Sequence, residues 1–220
     1  MVADGGAAMT LATSSPGILG GGGDVQSVAV SLASSAGWTA RTGAFSGSAS
    51  INTTAQQIEL ACTVAGPQVF ASIGRAPPSS APIVDYRARL SSLVSGGGSN
   101  DLASMQVADA LAQTVLVGVE IRADNTARTI TASAAGTAVA VASVAGGQGW
   151  ARMVLAGSLA RCYVGVGSGG SAPTSWTDLG TVTLASGHSA PWVYLLFQAN
   201  RGTATNLTAT WTSISYAEIA

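Results

Sequence analysis

The 220-residue chain carries 9% charged side chains and a net charge of −1, and its nine cations are all arginine, scattered without a run. A basic nucleic-acid surface is thereby excluded, and the exterior has to be built from Ser, Thr, Asn, Gln and Gly. No uninterrupted apolar stretch of eighteen or more residues is present, so no membrane-crossing helix and no membrane insertion are expected. A content of 47% hydrophobic residues arranged in recurring alternation argues against a disordered chain.

Residues 1–25 are of low complexity, with Pro16-Gly17 and a glycine run from Gly20 to Gly23. They read as an extended or flexible N-terminal arm. With neither a basic lead nor an apolar core, they are not expected to act as a secretory leader. Residues 26–220 show no duplicated block and no shift in composition, and read as a single β-sandwich domain.

Period-two alternation then recurs along the chain. Val28, Val30 and Leu32 alternate with Ser27, Ala29 and Ser31, and Ile58, Leu60 and Cys62 alternate with Gln57, Glu59 and Ala61. Val84, Tyr86, Ala88 and Leu90 oppose Asp85, Arg87 and Arg89, the pattern of a half-exposed strand. Ser95 to Asn100 is a loop. Asp101 to Leu111 is the best helical candidate, although Met105 and Val107 fit a strand equally. Val115, Val117, Val119 and Ile121 share one face. Asp124-Asn125 turns the chain back through Arg128 to Ser133, and Val139 and Val141 continue the meander to the turn at Gly146-Gly147.

Gly157-Ser158 joins two further strands as a compact hairpin. Trp192 to Gln198 is apolar on both faces, as a central strand would be. Leu207, Ala209 and Trp211 alternate with threonines until the phase slips at Thr212-Ser213, the signature of a β-bulge. The sum is twelve to fourteen strands and at most one short helix.

From Trp150 onward, an Arg-bearing strand leads through Gly157 to a Tyr-Val strand at Tyr163-Val164. The glycines from Gly167 to Gly170, then Trp176, the hydrophobic strand after Pro191 and a last strand ending near Tyr216 follow in order. This succession resembles concanavalin A-like lectin/glucanase jelly rolls of the kind found in bacteriophage virion and bacterial surface proteins. The resemblance implies an all-β, two-sheet antiparallel jelly-roll sandwich.

It does not bring the glucanase chemistry, which needs paired carboxylates at fixed spacing on one strand. The nearest approach here is Glu120 and Asp124 with Arg122 between them, and alternation makes Glu120 and Arg122 a surface ion pair. His188, in a Ser-Gly-His-Ser turn, has no nucleophile elbow to serve. The glycine runs lack the ending of a phosphate loop. No catalytic residue, cofactor or metal site is therefore expected, and the chain reads as a non-enzyme.

Cys62 and Cys162 sit in apolar alternating runs and read as buried thiols, with pairing across the sandwich left open. Trp38, Trp176 and Trp192 lie near turns and are the candidates for stacking on sugar rings, whereas Trp150 and Trp211 read as core.

The expected function is that of a non-enzymatic virion structural protein: a capsid decoration, tail or fibre component, assembled in a host cytoplasm and acting outside it. Its partners would be other virion proteins, a homo-oligomer such as a trimer, and a cell-surface glycan. The alternative is a carbohydrate-binding lectin module of a bacterial surface protein. A glycoside hydrolase is the remote third reading.

Overall fold

The structure, a computed structural model, describes residues 28–29, 39–44, 48–62, 69–75, 83–95, 101–109, 115–131, 135–141, 149–167, 170–184, 193–200 and 206–219. The arm proposed for residues 1–25, the loop at 96–100, the turn at Gly146-Gly147, and His188, Trp38 and Trp192 lie outside them.

Fifteen strands and no helix are present among these residues. One sheet contains β13 (Thr177–Thr183), β12 (Leu159–Val166), β11 (Gly149–Ala156), β6 (Ile83–Val94), β15 (Leu207–Ile219), β4 (Gln57–Cys62) and β3 (Ser48–Asn52) in that order, with β1 (Val28–Ala29) also pairing β15. The other runs β10 (Val139–Ala140), β9 (Thr126–Ile130), β8 (Val115–Arg122), β7 (Leu102–Asp109), β14 (Val193–Asn200), β5 (Val69–Arg75) and β2 (Thr39–Ala44). Every ladder is antiparallel. The architecture is the two-sheet jelly-roll sandwich expected from the sequence.

The core forms where the alternating apolar rows of the two sheets meet. Ile58, Leu60 and Cys62, then Val84, Tyr86, Ala88 and Leu90, then Met153 and Leu155 come from the first sheet. Met105, Val107, Val117, Val119 and Ile121 face them from the second. Within the segment 101–111, whose pattern suits a helix or a strand, Leu102–Asp109 form β7, from which Met105 and Val107 enter this core.

Local turn chemistry follows the residue types. Gly157 takes a φ of 59° between β11 and β12, a conformation that a side chain disfavours. Asn125 takes a φ of 62° in the β8–β9 hairpin, where Asp124 Oδ1 accepts the Thr126 N–H at 3.1 Å and fixes the turn. The phase slip in β15 is a bulge: register with β6 shifts between Thr212 and Ser215, Ser213 has a φ of 50°, and Ile214 re-enters the core.

Two expectations are corrected. In the row Asp85, Arg87, Arg89, the two arginines are half-buried as the pattern implies, but Asp85 is only 1% exposed although it points away from the main core. The outer face of the first sheet carries a second small apolar cluster of Ile83, Val154 and Tyr163, with Leu159 and Trp176 against it. Trp150 is buried, but on this same outer face: it pairs with Arg89 and Gly165, and a Cβ on Gly167 would stand 2.7 Å from its Nε1.

Cys62 and Cys162 are both buried thiols, and no disulfide joins them. They belong to one sheet, on β4 and β12, with β15, β6 and β11 between. Four strand spacings amount to roughly 19 Å, far beyond disulfide reach.

Candidate functional site

The outer face of the first sheet has two chemically distinct halves. On β3, β4, β15 and the end of β6, register sets out two cross-strand rows: Ser48, Ala61, Thr208, Val94, and Ser50, Glu59, Thr210, Ser92. Alternation sends Ile58, Leu60 and Ala209 inward to the core, so these polar neighbours are left facing out. A groove of about 270 Å³ lies here, lined by Ser48, Ser50, Glu59, Thr208 and Thr210 over Leu60, Ala61 and Ala209. Ser50 Oγ donates to Glu59 Oε2 at 3.3 Å, and Gln57 Nε2 donates to the other carboxylate oxygen. Val94, 61% exposed, stands beside Thr208 as an apolar rim. Hydroxyls, one carboxylate and a methyl surface suit a polyol: each offers a hydrogen bond or a C–H contact, and among the described residues no cation lines the groove.

The other half spans β6, β11, β12 and the start of β13. Arg152 donates to Asp85 through Nε to Oδ1 at 3.0 Å and Nη2 to Oδ2 at 2.8 Å. Arg87 Nη2 reaches the same Oδ2 at 2.7 Å. The Arg152 guanidinium lies 5.3 Å from the centre of the Tyr163 ring and 5.6 Å from that of Trp176, within the range of a cation–π contact. Arg161 stands 5.7 Å from the Tyr163 ring on the outer side and pairs with Asp178.

The segment from Gly170 to Trp176 lies over this cluster. A Cβ on Gly165 would meet Pro173 at 2.6 Å and Trp176 at 3.1 Å, and one on Gly170 would come within 3.0 Å of Arg89 Nη1. Glycine at 165 is therefore what lets Pro173 and Trp176 lie so close to the sheet, while Gly170 takes a φ of 93° that a side chain disfavours.

The electrostatics follow from these contacts. Hydrogen bonding from Arg161 holds the Asp178 carboxyl below its ordinary range, against partial burial and with help from the Gly180 N–H. Burial pushes the Tyr163 phenol up, opposed by Arg161 and Arg152. Tyr163 Oη and Trp150 Nε1 are buried polar atoms with no hydrogen-bond partner.

Of the three tryptophans chosen from the sequence, Trp176 is in this cluster, half-buried, immediately before β13. Trp38 and Trp192 lie outside the described residues. Sequence reasoning missed Arg152, Arg161, Tyr163 and Asp178 as a group. The signal was available in the alternation of Arg152 with Met153 and of Arg161 and Tyr163 with Cys162.

On the second sheet, Glu120 and Arg122 do pair, at 3.2 Å, and Arg128 Nε approaches the same Oε1 at 2.8 Å. The pair is not a surface one, since Glu120 is 5% exposed. Asp124 is instead spent on its own turn, accepting from Thr126 N and Oγ1. Among the described residues, no group of three or more His, Cys, Asp or Glu is arranged to hold a metal.

Comparison with known proteins gives a likeness of fold. No protein-family model matches the chain. No curated protein sequence matches it either. Solved structures do match. A functionally unknown protein from Saccharomyces cerevisiae superposes with a TM-score of 0.58 at 13% identity, covering 83% of this chain and 97% of that one. The legume lectin-like domain from Entamoeba histolytica gives 0.55 at 10% identity, covering 90% and 99%. The exoplasmic/lumenal domain of VIP36, in its Ca2+/Man3GlcNAc-bound form, gives 0.55 at 7% identity, covering 86% of each. The chain has the concanavalin A-like lectin fold.

Proposed function

We propose that this chain is a non-catalytic, carbohydrate-binding module that meets its ligand on the outer face of the first sheet. The observation that carries the reading is the hydroxyl-lined groove around Glu59 and Thr210, set in a fold similar to those of lectins. A neutral sugar would offer hydroxyl donors to Glu59 and exchange donor and acceptor roles with Ser48, Ser50, Thr208 and Thr210. Its C–H surface would lie against Val94.

Two buried carboxylates support the non-catalytic reading. Asp85 and Glu120 are each engaged by two guanidinium groups.

Of the two non-enzymatic roles drawn from the sequence, the likeness to lectins favours the carbohydrate-binding module over the virion component. Mounting on a bacteriophage-like particle, as a trimer or other homo-oligomer among other virion proteins, is supported by the sparse charge and hydroxyl-rich composition alone. Mass spectrometry of purified particles tests that placement.

The binding reading is tested on the full chain with an array of neutral oligosaccharides, followed by calorimetry on the best ligand. Each hydrogen bond lost from the groove costs about 1 kcal/mol, so Glu59→Gln and Thr210→Val should each weaken binding roughly fivefold. Absence of any neutral ligand, or binding indifferent to both substitutions, overturns the reading.

A further inference from the structure

The arginine half of the face contains chemistry that a neutral sugar leaves unused. Three guanidiniums, Arg87, Arg152 and Arg161, share two carboxylates there, Asp85 and Asp178. That is a local excess of positive charge on a chain whose net charge is −1. It also holds the two buried, unpartnered polar atoms, Tyr163 Oη and Trp150 Nε1. The indole N–H can only donate, and the phenol is protonated at neutral pH. Buried polar groups are nearly always satisfied, so the two donors call for an acceptor, and surplus guanidinium calls for that acceptor to be an anion.

The accessible edge of the cluster is where Arg161 and Asp178 reach solvent, with side-chain exposures of 27% and 39%, beside half-buried Trp176. Asp178 stands opposite Tyr163 in the β12–β13 register and Arg161 stacks on the Tyr163 ring. An ion pair this exposed is worth little, so an incoming anion can take the Arg161 guanidinium from Asp178.

We propose that this edge is a second subsite, which binds the acidic group of a charged saccharide, a carboxylate or sulfate ester. Arg161 takes the anionic oxygens bidentately, Tyr163 Oη donates to a further oxygen, and the exposed part of Trp176 packs on the sugar ring. The proposal rests on the carbohydrate-binding reading but uses residues other than the groove. The two therefore fail separately.

The test is calorimetry on the full chain with oligogalacturonate, a sulfated oligosaccharide, a neutral oligosaccharide of equal length, and inorganic sulfate, at low and high salt. At least one acidic oligomer should bind tenfold or more tightly than the neutral one, and raised salt should weaken it. Arg161→Gln should reverse that preference and leave the response of neutral ligands to Glu59→Gln unchanged. Asp178→Asn should tighten acidic binding by removing the competitor, a gain that a merely structural ion pair does not predict. Tyr163→Phe should weaken acidic binding while the thermal midpoint holds or rises, because the substitution removes an unsatisfied buried hydroxyl.

Equal affinity for acidic and neutral oligomers overturns the proposal, as does acidic binding that is indifferent to Arg161→Gln. Inorganic sulfate binding as tightly as the oligomers would make this a simple anion site and overturn the saccharide assignment. A groove that fails while Arg161-dependent acidic binding persists would remove the neutral-sugar reading and leave this one standing.

Discussion

Arg152 closes a two-point pair onto Asp85, reaching from β11 to β6 with contacts of 3.0 and 2.8 Å, on a face of the sheet turned away from the main core. Both residues are almost fully buried. Removing one partner of such a pair strands the other charge out of water and costs about 3–5 kcal/mol. Arg152→Ala leaves Asp85 paired with Arg87 at 2.7 Å and is expected at the low end of that range in urea denaturation. Asp85→Ala should cost more, because it takes the carboxylate from the buried Arg152 guanidinium, which cannot reach water, although Arg87, with 14% side-chain exposure, can turn to solvent. The double variant Asp85→Leu/Arg152→Met should be markedly more stable than Arg152→Ala. Additive costs across the cycle would show that the two residues do not act as a pair.

Gly165 is the point on which the covering segment rests. A methyl there would stand 2.6 and 2.8 Å from Pro173 and 3.1 Å from Trp176. Gly165→Ala should destabilise by about 1–3 kcal/mol through overpacking. Pro173→Ala in the same chain should recover part of that loss, since it removes the atoms struck first. Thermal denaturation of the four proteins checks it; no recovery in the double variant would place the strain elsewhere.

How far the sequence reveals this molecule depends on which side of a sheet a residue occupies. Rows such as Ile58-Leu60-Cys62 and Val117-Val119-Ile121 are legible because alternation against polar neighbours marks a buried face, and the β15 bulge is legible because Ile214 breaks the phase of Leu207, Ala209 and Trp211. Asp85 was misjudged for the same reason. Alternation reports which residues face away from the main core, but not that the segment ending at Trp176 folds back to cover them. Contacts between β11, β6 and β13 are set by strand order, and the chain's local pattern does not encode strand order. The groove escaped notice likewise: Ser50, Glu59 and Thr210 come from three strands that only the sheet makes neighbours.

The two cysteines provide a chemical test of the strand order. Cys62 Sγ donates to Ala199 O at 3.3 Å, and Cys162 faces Gly118 O at 3.9 Å, so both thiols bridge the sheets from the same side. Burial raises the Cys162 pKa, which suppresses the reactive thiolate. Native protein should show no reaction with a thiol reagent at neutral pH, and two thiols should titrate in denaturant without prior reduction. Consumption of fewer than two in denaturant would reveal a disulfide and contradict the separation of β4 from β12.

Stability should fall at both ends of the pH scale, with residues that can be assigned to each limb. Asp178 has a folded pKa below its unfolded value. Folding therefore favours its ionised form, and the contribution is complete above the ordinary carboxylate value of about 3.9 and disappears as the pH drops through the lower folded value. Cys162 and Tyr163 have raised pKa values because burial disfavours their anions. Their contributions are complete at neutral pH and disappear as the pH climbs past the ordinary thiol and phenol values, about 8.5 and 10, toward the higher folded ones. The urea midpoint measured against pH should thus lose part of its acid slope in Asp178→Asn. Cys162→Ala should delay the onset of the alkaline slope, and adding Tyr163→Phe should flatten it further. An alkaline slope unchanged in the Cys162→Ala/Tyr163→Phe protein would mean that these two protons are not what the folded state retains.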